Sequence, residues 1–519
     1  MAASIKVMNK KSFAKQLLFI RRISTTRNLH KGAVIGVYEP KEKGGEIILN
    51  KTSSRLNEES NGKLLNILKV AGKELKKGGC RVLYDTIPSY SSVAVCSLGK
   101  QGVGFNEAEG FDEAAENVRA AVAAGVRSLR DIGENQIDVD PCGNIEAAAE
   151  GGHLALYVYD ELKSEDKRKK PVKLSCLGTD SSKQITWNRG VIKAEGQNWA
   201  RSLMEMPSNF LTPRLFAEAV KNRLNNIQTV KVNVRDKTWI ENEKMESFLA
   251  VSQGSAEPPV FLHLIYKHPD ATIERPLALV GKGVTFDTGG ISIKPSSNMD
   301  QMRADMGGAA CVVGALYAIS RLNMPVNVEA FIPLCENMPG GRAIKPGDVV
   351  RARNGKTIQI DNTDAEGRLI LADALNYAET VKPHLILDMA TLTGAIDVAL
   401  GAGATGVFST STHYWSLLEQ AGSRTGDRVR RMPLFNHYTK QITKCQLADV
   451  NNIGGSRSAG ACTAAAFLKE FVTCKNWMHL DIAGVMSNKS EVPYLGEGMA
   501  GRPTRTVVEF VEAVGKEKQ

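Results

Sequence analysis

Short apolar runs alternate with longer stretches of helical spacing along most of the chain. Arg81-Val82-Leu83-Tyr84 and Val93-Ala94-Val95-Cys96 have the length and the apolar or β-branched character of buried strands. Residues about 112–130 follow with Ala-rich helical spacing and acids in the first turn, where the helix dipole favours them. A further apolar run covers 154–159, and the charge run 163–171 has the composition of a solvated loop. From about 186 to 206 the spacing predicts a connecting helix that ends near Met206-Pro207. Beyond it, 276–280, 328–334, 385–388 and 477–482 predict core strands, with helices at about 302–321, 366–381 and 462–473.

This alternation predicts an α/β protein of two domains. The expected divisions are a smaller N-terminal α/β domain at 31–185, the connecting helix at 186–206, and a larger C-terminal α/β domain at 207–519. The larger domain is expected to hold a mixed central sheet flanked by helices. No apolar run reaches the roughly 18 residues that a membrane-spanning helix requires.

Residues 1–30 differ from the rest. Phe13, Leu17 and Ile20 share one helical face, with Lys11, Lys15 and Arg22 near the other. The first acid is Glu39. A basic, acid-free amphipathic leader reads as a mitochondrial transit peptide, so the expected location is the mitochondrial matrix rather than the cytoplasm. Residues 1–38 carry eight of the charges behind the net +10, which leaves the body nearly neutral. Nucleic acid is therefore not an expected partner. The nine cysteines form no C-x-x-C pair, as expected for reduced, mostly buried thiols.

Two segments carry chemistry. The first runs Val280-Gly281-Lys282-Gly283-Val284-Thr285-Phe286-Asp287-Thr288-Gly289-Gly290 and continues through Lys294 to Asp305-Met306-Gly307-Gly308. The second is Asn362-Thr363-Asp364-Ala365-Glu366-Gly367-Arg368-Leu369. The glycines match neither nucleotide-binding spacing. An isolated Asp364-Ala365-Glu366 would be ordinary at a helix N-terminus. Helix capping, however, requires none of Lys282, Asp287, Lys294, Asp305 or Arg368. Asp287, Asp305, Asp364 and Glu366 gathered together would repel one another and partly protonate. Two divalent cations would balance them, and carboxylate-rich sites suit Mg²⁺, Mn²⁺ and Zn²⁺. The sequence has no H-E-x-x-H and no G-x-S-x-G, and the eight histidines form no evident site.

Both segments resemble the leucine aminopeptidase family, the cytosol aminopeptidases of peptidase family M17. Residues 362–369 match the family's octapeptide signature without a departure, and the resemblance is clear over about 200–515. It implies that Asp287 and Glu366 bridge two metal ions, that Lys282 and Asp305 bind one, and that Asp364 binds the other. It implies that Lys294 polarises the scissile carbonyl and steadies the tetrahedral intermediate. Arg368 would hold a bicarbonate ion that acts as general base. Met302, Thr391, Leu392, Ala483 and Met486 would line the pocket for the substrate's first side chain.

The implied activity is metal-dependent removal of N-terminal residues, preferably leucine and other bulky apolar ones, from peptides. The free α-amine would engage one ion, and members are typically homohexamers. A structural or assembly protein on the same hexameric fold is the alternative, with a DNA-binding regulator as a second rival that the near-neutral body disfavours. A ligating lysine must be neutral, which neighbouring carboxylates oppose and only a metal enforces, whereas Lys294 must stay charged.

Overall fold

The computed structural model describes residues 31–517 except 43, 72–74 and 179. The transit-peptide reading of residues 1–30 lies outside the described residues. Two mixed sheets organise the chain, as the alternating pattern implies. The first has six strands, in the order Cys80–Tyr84, Ser92–Ser97, Lys31–Tyr38, Gln136–Val139, Lys173–Cys176, with Ile48–Leu49 paired to Lys31–Tyr38. Along Lys31–Tyr38, Ala33, Ile35 and Val37 pack with the short helices Lys51–Glu59 and Lys63–Val70. Val34 faces the opposite cluster, with helices Glu113–Asp131 and Ile145–Leu156. Successive strand side chains point to opposite faces, so one strand serves two cores. Leu154–Leu156 of the apolar run therefore close a helix, and the charged 163–171 loop is exposed throughout.

The second sheet has nine strands, in the order Val429–Arg431, Thr405–Ser409, Trp477–Asp481, Leu385–Ala390, Leu277–Gly281, Val328–Asn337, Val260–Tyr266, Val230–Arg235. Gly283–Asp287 pairs with the same long strand as Leu277–Gly281. The four strands predicted from the apolar runs are its parallel centre. Leu277, Leu279, Leu385 and Leu387 pack into one core, which includes much of helix Gly307–Arg321. Ala278, Val280 and Ile386 pack into another, with helices Gly367–Ala378 and Gly460–Lys469. Burial on both faces explains why these strands read as continuous apolar runs.

The structure corrects two helix boundaries. The expected helix at 302–321 is a 3₁₀ turn, Met299–Ala304, followed by α-helix Gly307–Arg321, with Asp305 and Met306 at the break. Gly308 at the new start lies against the sheet; a Cβ there would sit 2.0 Å from the Met389 carbonyl oxygen. The connecting helix begins earlier than its apolar spacing suggests, at Ser181, because the Asp180 side chain caps it by accepting the Lys183 N–H. It runs to Glu205 and carries a buried ionic junction. Lys193 is wholly buried between Glu146 and Glu509. Nearby, Glu150 accepts from Arg119 at 2.6 Å and from Arg505 at 2.7 Å. Removing one member would strand a buried charge, so the junction fixes how the two sheets meet.

Candidate active site

The site forms where the central parallel strands end, the place where open α/β sheets bind ligands. Leu277–Gly281 and Gly283–Asp287 are successive parts of one strand path. The first pairs with Val328–Phe331 and the second with Leu334–Asn337. Lys282 sits at the interruption. Its N–H donates to the Met389 carbonyl at 3.0 Å and its carbonyl accepts from Ala309 N at 2.9 Å. The backbone is thus fixed on both sides while the side chain enters the site.

The Lys282 ammonium is buried among three acceptors: Asp305 Oδ1 at 2.7 Å, Glu366 Oε1 at 2.8 Å and the Thr391 carbonyl at 2.8 Å. Gly367 makes this possible, since a Cβ there would lie 2.6 Å from Lys282 Cε. Lys294 reaches the other side of the cluster, 2.8 Å from Asp287 Oδ2 and in contact with Asp364. The loop carrying it turns at Gly289 and Gly290, whose φ values of +87° and +66° favour glycine. Thr363 pins that loop to the signature segment: its hydroxyl donates to Gly289 O at 2.7 Å and accepts from Ser292 N at 2.8 Å.

Asp287, Asp364 and Glu366 offer oxygens within 4.8 Å of one another. Burial pushes the Asp287 carboxyl up to about 6, with Glu366 adding to the rise and the two lysines opposing it. Burial likewise raises Asp305 and Asp364. Burial also disfavours the Glu366 carboxylate, but Lys282 and Lys294 overcome it and hold Glu366 below its ordinary value. For Lys282, burial works against the charge, yet Asp305 and Glu366 prevail and raise it. Lys294 is raised in the same way, chiefly by Asp287. The acids around both lysines thus favour their charged forms.

A cleft of about 570 Å³ opens over this cluster. Lys282, Asp287, Lys294, Asp305, Asp364 and Glu366 wall it, together with Met302, Thr391, Leu392, Ala483 and Met486. Residues from four separate segments, 282–305, 364–366, 391–392 and 483–486, thus meet in one space. Arg368 is placed differently: it is buried and is not part of that wall. One of its nitrogens, Nη1, donates to the Asn452 carbonyl at 2.7 Å, while Nε is buried without a hydrogen-bond partner. Burial pushes this guanidinium down to about 10, against Glu366 and Asp481.

Sequence reading missed the supports. Asn337 Nδ2 donates to Asp287 Oδ1 at 2.8 Å and to Thr363 O at 3.1 Å. Asn452 accepts from the backbone of Asp361 and donates to Asn362 O, holding the signature segment in place. Thr391, expected only to line the pocket, also donates to Asp305 Oδ1 at 2.7 Å. Asn337 closes a strand and Asn452 follows one, and neither has a local pattern that marks it.

Comparison with known proteins agrees with this geometry. The model of the cytosol aminopeptidase family catalytic domain matches residues 198–508, and that of the family's N-terminal domain matches 34–166. The cytosol aminopeptidase of Sus scrofa is 56% identical over 486 residues, 93% of each chain. That of Homo sapiens is 54% identical over 494 residues, covering 95% of this chain and 94% of its own. Among solved structures, the bottromycin maturation enzyme BotP in complex with Mn superposes with a TM-score of 0.79 at 31% identity, over 94% of this chain and 100% of that one.

Proposed function

Because the chain belongs to the cytosol aminopeptidase family and is an aminopeptidase acting on peptides, we propose that it is a two-metal exopeptidase preferring leucine and other bulky apolar N-terminal residues. The observation that carries this reading is the convergence of four carboxylates and two lysines on one cleft. The donor set fits divalent cations, since four carboxylates outnumber two ammonium groups in the cleft, with Asp287, Asp305 and Glu366 buried. Asp287 and Glu366 would serve both ions, Lys282 and Asp305 one, and Asp364 the other. Mn²⁺ is supported by the BotP complex, and Zn²⁺ and Mg²⁺ accept the same oxygen donors. When bound, such ions lower the pKa of a water and polarise a carbonyl.

The chain's own groups supply the rest. Lys294 is kept protonated by Asp287 and can donate to a developing oxyanion. The free Nε of Arg368 leaves a buried N–H for a small planar anion, which suits bicarbonate as the general base. Met302, Leu392, Ala483 and Met486 give the cleft an apolar wall for the first side chain, with Thr391 beside Asp305. The test is hydrolysis of leucyl-p-nitroanilide after chelation and again after Mn²⁺ is restored. Activity that survives complete metal removal would refute the metal reading.

Family kinship also supports a homohexamer, which light scattering after gel filtration would check. We place the protein in mitochondria on its basic leader. Residues 1–30 fused to a fluorescent reporter should enter mitochondria, and exchanging Lys11, Lys15, Arg21 and Arg22 for Glu should prevent it. Diffuse cytosolic fluorescence from the unaltered fusion would reject this placement.

A further inference from the structure

We propose that Cys80 and Cys96 form an oxidisable dithiol in the N-terminal domain, a modification site that a small-molecule disulfide such as oxidised glutathione converts to an internal disulfide. The two residues lie directly opposite each other on antiparallel strands Cys80–Tyr84 and Ser92–Ser97. One step further along, Ser97 N donates to Gly79 O at 3.0 Å. That bond makes the Cys80–Cys96 position a non-hydrogen-bonded pair, in which Cα atoms approach to about 4.5 Å. This is at the short end of the span a disulfide bridges, roughly 4.4–6.8 Å. Both side chains face the core beneath helix Glu113–Asp131. The two thiols therefore stand side by side on the same face of the strand pair.

The environment assigns the two sulfurs different parts. Cys96 is wholly buried, and its Sγ lies against Gly125, where a Cβ would come within 2.8 Å. Cys80 is only partly buried, on the outermost strand of the sheet, and is the sulfur a reagent can reach. The neighbouring Cys96 thiol holds the Cys80 thiol below its ordinary value against burial, with Ser128 assisting. Cys80 is therefore the attacking thiolate and Cys96 the resolving thiol.

In the first step the Cys80 thiolate attacks one sulfur of the oxidant, forming a mixed disulfide and releasing one thiolate. That thiolate takes the Cys96 proton. Cys96 sulfur then attacks Cys80 sulfur, closing the internal bond and expelling the second oxidant thiolate, which takes up the proton that Cys80 released. Two protein thiols are oxidised and one external disulfide becomes two thiols. Among the described residues, no other two cysteines are paired across a strand ladder. Cys445 and Cys474, the other partly buried ones, lie instead against Gln359 and against the carbonyls of Pro383 and Asn476.

The test incubates the full chain with excess oxidised glutathione under native conditions, followed by alkylation, digestion and mass spectrometry. Two of the nine thiols should be lost, in a single peptide pair joining Cys80 to Cys96, and dithiothreitol should restore them. C96A should instead keep glutathione on Cys80, because the resolving thiol is gone. C80S, exposed to the same reagent, should lose no thiols and should retain its leucyl-p-nitroanilide turnover, since Cys80 lies outside the cleft. A stable glutathione adduct on Cys80 of the unaltered chain would overturn the proposal. So would a bridge to a different cysteine, or no loss of thiols.

Discussion

Lys282 and Lys294 grip one carboxylate cluster from opposite sides, Lys282 at 2.8 Å from Glu366 and Lys294 at 2.8 Å from Asp287. The first is buried deep beside Thr391, while the second stands on a glycine-turned loop at the cleft. A lysine that ligates a metal must give up its proton, and one that steadies an oxyanion must keep it. The acids around them favour the charged form of both lysines, so Lys294 is already set to stay charged, whereas a neutral Lys282 would require a bound metal.

Lys294→Ala should keep its metal content but turn over roughly 10²–10³-fold more slowly, the usual loss for one oxyanion-stabilising group. Lys282→Ala should lose metal and recover at least in part with excess Mn²⁺. Metal analysis after dialysis, then kcat across a Mn²⁺ titration, separates them. Rescue of Lys294→Ala alone would reverse the two roles.

Asp305→Asn should weaken one metal site more than the other, because Asp305 is held by Lys282 and Thr391 and lies outside the Asp287, Asp364 and Glu366 group. Asp287→Asn should weaken both, since Asp287 is grouped with Asp364 and Glu366. Titration calorimetry reads the two stoichiometries. Loss of the same single site in both variants would end the bridging assignment.

Gly367→Ala places a methyl group 2.6 Å from Lys282 Cε. Alanine suits a helix better than glycine, so the fold should keep its melting temperature within a few degrees. Displacing the lysine should lower metal affinity about 10–100-fold, the range seen when a ligand's support is disturbed. Unchanged metal affinity would show that Lys282 has room to shift.

Asp373 gives a pH dependence away from the cleft. It is wholly buried, accepting Arg353 N at 2.7 Å and Phe248 N at 2.9 Å, and burial pushes it up to about 7. Because its folded value lies above its unfolded one, the folded chain binds the extra proton between about pH 4 and 7. Its contribution is thus fully present below about pH 4 and lost as pH rises towards 7. Asp373→Asn should flatten that slope in thermal melts, at the expense of one backbone acceptor at every pH. An unchanged slope would exclude Asp373 as its source.

The contiguous parts of this protein were legible without coordinates. Core strands such as Leu385–Ala390 announce themselves because burial on both faces demands an unbroken apolar run. Asp364, Glu366 and Arg368 announce themselves because five residues of sequence hold all three. The break at Asp305-Met306 was not legible, since apolar spacing continues through it, and the helix start at Asp180 depends on one capping hydrogen bond. No local pattern marks Lys193, Arg505 or Glu150, yet each is buried in an ion pair with a residue from a distant segment.

The sequence by itself determined the chemical inventory: which strands are apolar on both faces, and which acids and lysines stand beside glycine turns. Only the tertiary structure decided that Lys282 at a strand break, Asp305 at a helix start, Thr391 after a neighbouring strand and Asn337 on a third would surround Glu366 and Asp287. The physical reason is that strand order and register act over tens to hundreds of residues. Local hydrophobic pattern carries the period of an element, but not which neighbour it will lie beside.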